Sequence, residues 1–128
     1  MNISFEWYLA RSYANKASYC MKRGMEFALT LDDWRELMTT EYCAYTGVKM
    51  TTKPYSYKGG VDQAVPPRDT DRSIERVDSK KPYTKENTVA VCNLCNNKKS
   101  LFETSPDKMQ QFDFDTFVEN CKKELENA

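Results

Sequence analysis

The stretch Asp71–Ser100, DRSIERVDSKKPYTKENTVAVCNLCNNKKS, decides the reading of this chain. Ser73–Asp78 and Asn87–Val91 are short runs of strand-forming residues, and Asn93–Leu101 has the composition of a short helix. The order is therefore strand, tight loop, strand, helix. Glu75 and Asp78 sit on the first strand, Asn87 ends the loop, and Cys92, Cys95 and Asn96 stand at the helix start. The chain has no histidine at all.

Outward from this stretch, the segments are those of one small domain of 128 residues. The chain is 40% apolar and 30% charged, which favours a folded, soluble protein over a disordered one. No apolar run approaches the ~20 residues of a membrane span. The N-terminus MNISFEWYLARS lacks a basic start and an apolar run, so a cytoplasmic location is expected. Nineteen basic and nineteen acidic residues cancel, but unevenly. The first 58 residues and residues 59–101 each carry eight basic and six acidic side chains, whereas residues 102–128 carry three and seven. The acidic excess is in the tail. The slightly basic remainder is compatible with phosphate binding, though such a segment is more often an ordinary solvated surface.

Phe5 to Phe27 reads as helix, with Phe5, Leu9, Tyr13, Ala17 and Met21 as its apolar stripe. Gly24 should interrupt or end it. Lys16, Lys22 and Arg23 lie around that stripe, as a solvated face or as a track for a DNA backbone. Thr30 should cap a second helix ending near Thr40, with Leu31, Trp34, Leu37 and Met38 inward. Glu41–Met50 reads as a turn feeding a short strand, and Thr51–Thr70 as a long irregular loop. Ser105-Pro106 should start a further helix, and a last one should run from about Asp113 with Phe114, Phe117, Val118, Cys121 and Leu125 inward. Five cysteines in a reducing compartment should be thiols, and Cys92-x-x-Cys95 with distant Cys43 suggests a zinc knuckle short of a ligand, or a thiol-lined core.

Four runs now stand in order: Ser73-Ile-Glu-Arg-Val-Asp78, Pro82-Tyr-Thr-Lys-Glu-Asn87, Val89-Ala-Val91 and Cys92-Asn-Leu-Cys-Asn-Asn-Lys-Lys99. Together they resemble phage-type members of the HNH, or ββα-metal, endonuclease family. Arg23–Phe27, Leu29–Leu31 and Cys43–Gly47 extend the resemblance over roughly residues 11–101. The resemblance implies an α+β fold: a ββα-metal core over about 43–101, a helical part at 1–40 and a helical tail at 105–128. It implies hydrolysis of DNA phosphodiesters on one Mg²⁺ or Mn²⁺ ion. A hard cation of this kind takes oxygen ligands and keeps several waters. By position, Glu75 and Asn96 match the metal ligands, while Asn87 matches the residue that ties the loop backbone. On the residues alone, Glu75 is also read as a salt-bridge partner of Arg72 or Lys85, and Asn96 as a helix cap.

Arg76 stands where the family's general-base histidine usually stands. An arginine stays charged and cannot be that base, but it can clamp a phosphate in bidentate fashion. Some family members are similar in carrying arginine here. Asp78 and Tyr45, with Tyr55 and Tyr57, are then the candidate bases, the tyrosines only if their pKa is lowered. Lys16, Lys22, Arg23, Lys98 and Lys99 are candidate nucleic-acid contacts. The family's fourth zinc cysteine is Thr46 here, so a four-thiolate zinc site would need Cys20 or Cys121. Pro82 replaces the glycine usual before the loop tyrosine. DNA is the implied partner, and a homodimer would be the simplest way to cut both strands. The alternative reading is a catalytically inactive, HNH-derived module that grips nucleic acid or inhibits a nuclease.

Overall fold

The first helix, α1 (Phe5–Lys22), starts where Ser4 accepts a hydrogen bond from Trp7 N–H at 3.1 Å. It stops at Gly24, whose φ of +66° suits glycine and few other residues. Gly24 N–H bonds to Met21 O and Met25 N–H reaches back to Cys20 O, which closes a Schellman motif. The inward face of α1 carries Leu9, Tyr13, Ala17 and Cys20, with Leu9 and Cys20 buried. The expected stripe through Phe5 and Met21 is corrected, because Met21 is 78% exposed. Strict four-residue steps overrun the helical period of 3.6, so a stripe counted that way drifts off the buried face.

This computed structural model describes residues 4–53, 57–58, 61–62 and 66–127. They belong to two interleaved compact units. The first comprises Met1–Thr40, Pro54–Pro66 and Arg76–Val89, and the second Glu41–Lys53, Pro67–Glu75 and Ala90–Ala128.

In the first unit, α2 (Leu31–Met38) follows a capping box in which Thr30 and Asp33 exchange hydrogen bonds of 3.1 and 3.0 Å. Trp34 is buried, and its Nε1 donates to Ser12 Oγ at 2.9 Å; Leu31, expected inward, is 40% exposed. Tyr13 donates to Leu29 O at 2.6 Å. Tyr13, Phe27, Trp34 and Tyr83 pack edge to face or tilted, with centroids 5.5–6.3 Å apart. A two-residue antiparallel pair, β1 (Tyr57–Lys58) and β2 (Val61–Asp62), lies within the long loop. Tyr55 and the side chain of Tyr57 lie outside the described residues.

Strands β3 (Arg72–Arg76) and β4 (Thr88–Cys92) pair, and helix α3 (Asn93–Phe102) begins at once. The strand–strand–helix order is the expected one. Asp78, expected at the end of the first strand, falls in the turn beyond it.

In the second unit, Cys43–Gly47 is a turn closed by Gly47 at φ +73°, and Tyr42 and Lys49 form a single bridge rather than the expected strand. Helix α3 lacks a side-chain cap. Its first N–H groups are met by backbone instead: Asn93 N–H by Asp71 O at 2.8 Å and Leu94 N–H by Asp69 O at 3.0 Å. Helix α4 (Pro106–Gln110) is capped by Ser105, and α5 (Phe114–Glu126) by Asp113. Phe117, Cys121 and Leu125 are buried on α5, whereas Phe114, expected with them, is 47% exposed.

Candidate active site

Strand alternation places Ser73 and Glu75 on one face of β3. Helical spacing places Asn96 and Lys99 on one face of α3. The two pairs meet. Asn96 Nδ2 donates to Ser73 Oγ at 2.7 Å, and Lys99 Nζ lies 3.7 Å from Glu75 Oε2. With its NH₂ group on Ser73, Asn96 keeps its carbonyl oxygen as the atom to offer a cation.

Glu75 is buried and its Oε2 makes no hydrogen bond. Burial raises its pKa, against the lowering influence of Tyr45 and Lys99. Its expected partners were Arg72 or Lys85; the observed one is Lys99, which is itself buried and also lies 3.7 Å from Glu103 Oε1. Lys99 is thereby corrected as a surface contact to nucleic acid, because a buried ammonium between two carboxylates does not reach a DNA backbone.

Tyr45 belongs to the same neighbourhood. Its ring packs edge-on against Phe114 and Phe117, with centroids at 5.3 and 6.3 Å. Its buried hydroxyl makes no hydrogen bond, though the phenol is close enough to Glu75 to feel its charge. Burial first, and then Glu75, push its pKa far up. This reverses the lowering that a role as base requires. Tyr45 stays a protonated phenol, able to donate a hydrogen bond and not to serve as a base.

In the first unit, Asn87 ties the loop of the hairpin. Its Oδ1 accepts from Asp78 N–H at 2.9 Å, and its Nδ2 donates to Asp78 O and Pro82 O, each at 3.0 Å. Asp78 Oδ1 accepts from Lys80 N–H at 3.0 Å as a turn cap. The Arg76 guanidinium lies over the Tyr83 ring at 5.0 Å and donates from Nη1 to Lys81 O at 3.2 Å. Lys16 sits near two rings, Tyr19 at 5.2 Å and Tyr83 at 5.1 Å, and Arg23 lies over Tyr19 at 3.7 Å. Lys22 is exposed. Lys98, in the second unit, is paired with Glu124 at 2.7 Å.

Four thiols gather in the second unit. Cys43 Sγ lies 3.9 Å from Cys95 Sγ and accepts N–H bonds from Cys92 at 3.3 Å and Thr46 at 3.5 Å. Donation by Cys92 and then Cys95 holds the Cys43 thiol far below its usual range. Cys92 is pushed up first by Cys43, and Cys95 first by Cys121; Cys121 itself is lowered by the same contact. Cys121 is thus the fourth sulfur, and Cys20 is buried on α1 in the first unit. Thr46 Oγ1 instead accepts from Val48 N–H at 3.3 Å. Among the described residues no group of three or more His, Cys, Asp or Glu side chains is disposed to hold a metal ion as it stands. One contact, the 3.9 Å between Cys43 and Cys95, does match the roughly 3.8 Å edge of a tetrahedral zinc–thiolate site with Zn–S of about 2.3 Å.

No family model matches the chain, and no curated protein matches it. A solved structure does: that of the rare-cutting HNH restriction endonuclease PacI, described as perturbing DNA by an extraordinary mechanism. The TM-score is 0.60 at 16% identity, over 99% of this chain and 92% of that one. The fold is HNH-like. No described helix is long and apolar enough to cross a membrane.

Three features escaped the sequence reading. Ser73 turns Asn96, Lys99 faces Glu75, and Glu103 shares that ammonium. The signal was there in the paired spacings Ser73/Glu75 and Asn96/Lys99.

Proposed function

We propose that the chain is a metal-dependent DNA endonuclease whose HNH-type site uses Glu75 and Asn96 as its protein ligands. The carrying observation is the Glu75 Oε2 atom: a buried carboxylate oxygen with no hydrogen bond, on the strand face that also fixes Asn96 through Ser73. Its neighbours are the Lys99 ammonium at 3.7 Å and the equally unbonded Tyr45 hydroxyl, and a bound cation is one partner that would satisfy it. One carboxylate and one amide oxygen suit Mg²⁺ or Mn²⁺, which keep most of their waters. Such an ion would supply charge neutralisation at the scissile phosphate and a more acidic water. The HNH-like fold supports the reading.

The residues divide the remaining work. Asn96 is oriented by Ser73. Tyr45, kept protonated by burial, offers a proton to an oxyanion or to Glu75. Arg76, which alternation points to the face of β3 opposite Glu75 and which lies over Tyr83, is proposed as a clamp on a DNA phosphate and not as part of the metal-ligand set, a role in which its planar fork matters more than its charge alone. Asn87 holds the loop that carries Asp78. Asp78 remains the proposed base among the described residues. Zinc on Cys43, Cys92, Cys95 and Cys121 would be structural. Cutting both strands would be served most simply by a homodimer, with DNA as substrate.

The absence of histidine and the ammonium beside Glu75 favour a second reading, in which the domain binds nucleic acid without cutting it. Plasmid nicking with Mg²⁺ or Mn²⁺ separates the two. Wild type should nick, and Glu75→Ala should lose nicking while keeping its fold. Equal cutting by both proteins would place the site elsewhere. Arg76→His adds a second arm: a site that already works loses its clamp and slows, whereas a site lacking only its base gains activity. No cutting by any protein, with DNA still bound, would establish the binding module.

A further inference from the structure

Cations and tyrosines alternate along the first unit. Arg23 lies over Tyr19 at 3.7 Å, Lys16 lies 5.2 Å from Tyr19 and 5.1 Å from Tyr83, and Arg76 lies over Tyr83 at 5.0 Å. Three positive charges are thereby connected through two rings, from the end of α1 to the end of β3. We propose that this ladder is the track on which the phosphodiester backbone of DNA lies. The proposal rests on the reading of the chain as a DNA-processing protein, and adds where the strand runs and what it touches.

Three arguments carry it. Lysine and arginine on a free surface lose rotamer entropy when fixed, and a ring beneath each cation meets part of that cost beforehand. Lys16 and Arg23, each above a ring face, keep their N–H donors toward phosphate oxygens. Neither Lys16 nor Arg23 is ion-paired among the described residues, in contrast to Lys98 and Lys99, which are engaged by Glu124, Glu75 and Glu103. The faces of Tyr19 and Tyr83 that carry these cations are closed to bases, so the contact is to the backbone and carries no sequence preference. Arg23 also stands at the C-terminus of α1, where a cation stabilises the helix dipole. That role affects melting temperature and leaves salt dependence of DNA binding untouched.

The test is equilibrium binding of a labelled DNA duplex by the full chain, without added divalent cation, across a salt series. Each lost phosphate contact should reduce the slope of log K against log[salt] by ~0.9. Lys16→Gln and Arg23→Gln should each show that reduction and their double variant about twice as much. Lys16→Arg should keep the wild-type slope, and Lys123→Gln in the acidic tail should change nothing. Tyr19→Phe retains the ring and should bind as wild type. Tyr19→Leu retains the charges but frees them, and should weaken binding several-fold with the slope kept. Wild-type slopes in both glutamine variants would overturn the track while leaving DNA as the partner. Failure of the wild-type chain to bind any duplex, with retention of an acidic protein instead, would overturn both this track and the DNA reading. Binding that follows the ladder without any nicking would keep the track and remove the endonuclease.

Discussion

Lys99→Met is the most informative change at the candidate site. Methionine keeps the length and fills the space of the lysine stem, but removes an ammonium 3.7 Å from both Glu75 Oε2 and Glu103 Oε1. At an effective dielectric constant of ~20, one such contact is worth about 4.5 kcal/mol of Coulomb energy. Lys99 and Glu75 side chains are only 9% and 7% exposed, so water screens this pair little. Removing one partner of a buried pair costs about 3–5 kcal/mol, since the other charge is left behind. At about 3–5 °C per kcal/mol for a domain of this size, the metal-free variant should melt about 10–20 °C below wild type. The same change empties the position of positive charge beside Glu75, so a divalent cation becomes that carboxylate's sole counter-charge. Mn²⁺ should therefore raise the melting temperature of Lys99→Met more than that of wild type; a ligand at a hundred times its Kd contributes about 2.7 kcal/mol. Glu75→Gln combined with Lys99→Met should abolish the Mn²⁺ response. Thermal melts followed by circular dichroism, with and without Mn²⁺, measure all of this. A loss below about 1 kcal/mol, or an equal Mn²⁺ gain in both proteins, would refute the argument that Lys99 stands in for the cation.

Asp71→Asn should destabilise the second unit by about 2–4 kcal/mol, because the buried carboxylate accepts Arg68 N–H at 2.8 Å, Arg68 Nη2 at 2.9 Å and Thr51 Oγ1 at 2.6 Å, and the amide turns a donor toward one of them. Burial alone would raise the pKa of Asp71, but Thr51 and Arg68 outweigh it and hold it below its ordinary 3.8. Its contribution is thus present above about pH 4 and is lost as pH falls through the depressed folded value, so urea melts of Asp71→Asn should lack that acid limb. A variant matching wild type at pH 7 would show that the Arg68 pairing, half exposed on the arginine side, contributes nothing. Cys121→Ser should lower the zinc content of the purified chain from one per molecule, measured by elemental analysis. Zero zinc in wild type would make the four sulfurs a reduced thiol core.

Local structure was legible wherever a few neighbouring residues decide it. Thr30 with Asp33, Ser105 before Pro106, and Asp113 each announce a helix start, because a cap is settled within one turn of chain. Gly24 was legible for the same reason, as the backbone angle that closes α1 suits glycine and few other residues. The pairing of Glu75 was not. Arg72 and Lys85 were closer in sequence, and nothing local says that α3 lies on β3 in the rotation that brings Lys99 to the carboxylate. That rotation follows from two coincident periods, two along the strand and three along the helix, and only the folded chain brings them together. The direction of the Tyr45 shift was hidden similarly: a loop tyrosine near an expected metal site suggests a lowered phenol, while its burial against Phe114 and Phe117 dictates the opposite. The histidine-free motif therefore has a physical reading that the motif alone lacks. Without an imidazole, the site keeps a buried carboxylate, a phenol held protonated by burial, and an ammonium beside the carboxylate. On the proposed reading a divalent ion would have to displace Lys99 toward Glu103, and the energy of that exchange, rather than the missing residue, would decide between an enzyme and a binding module.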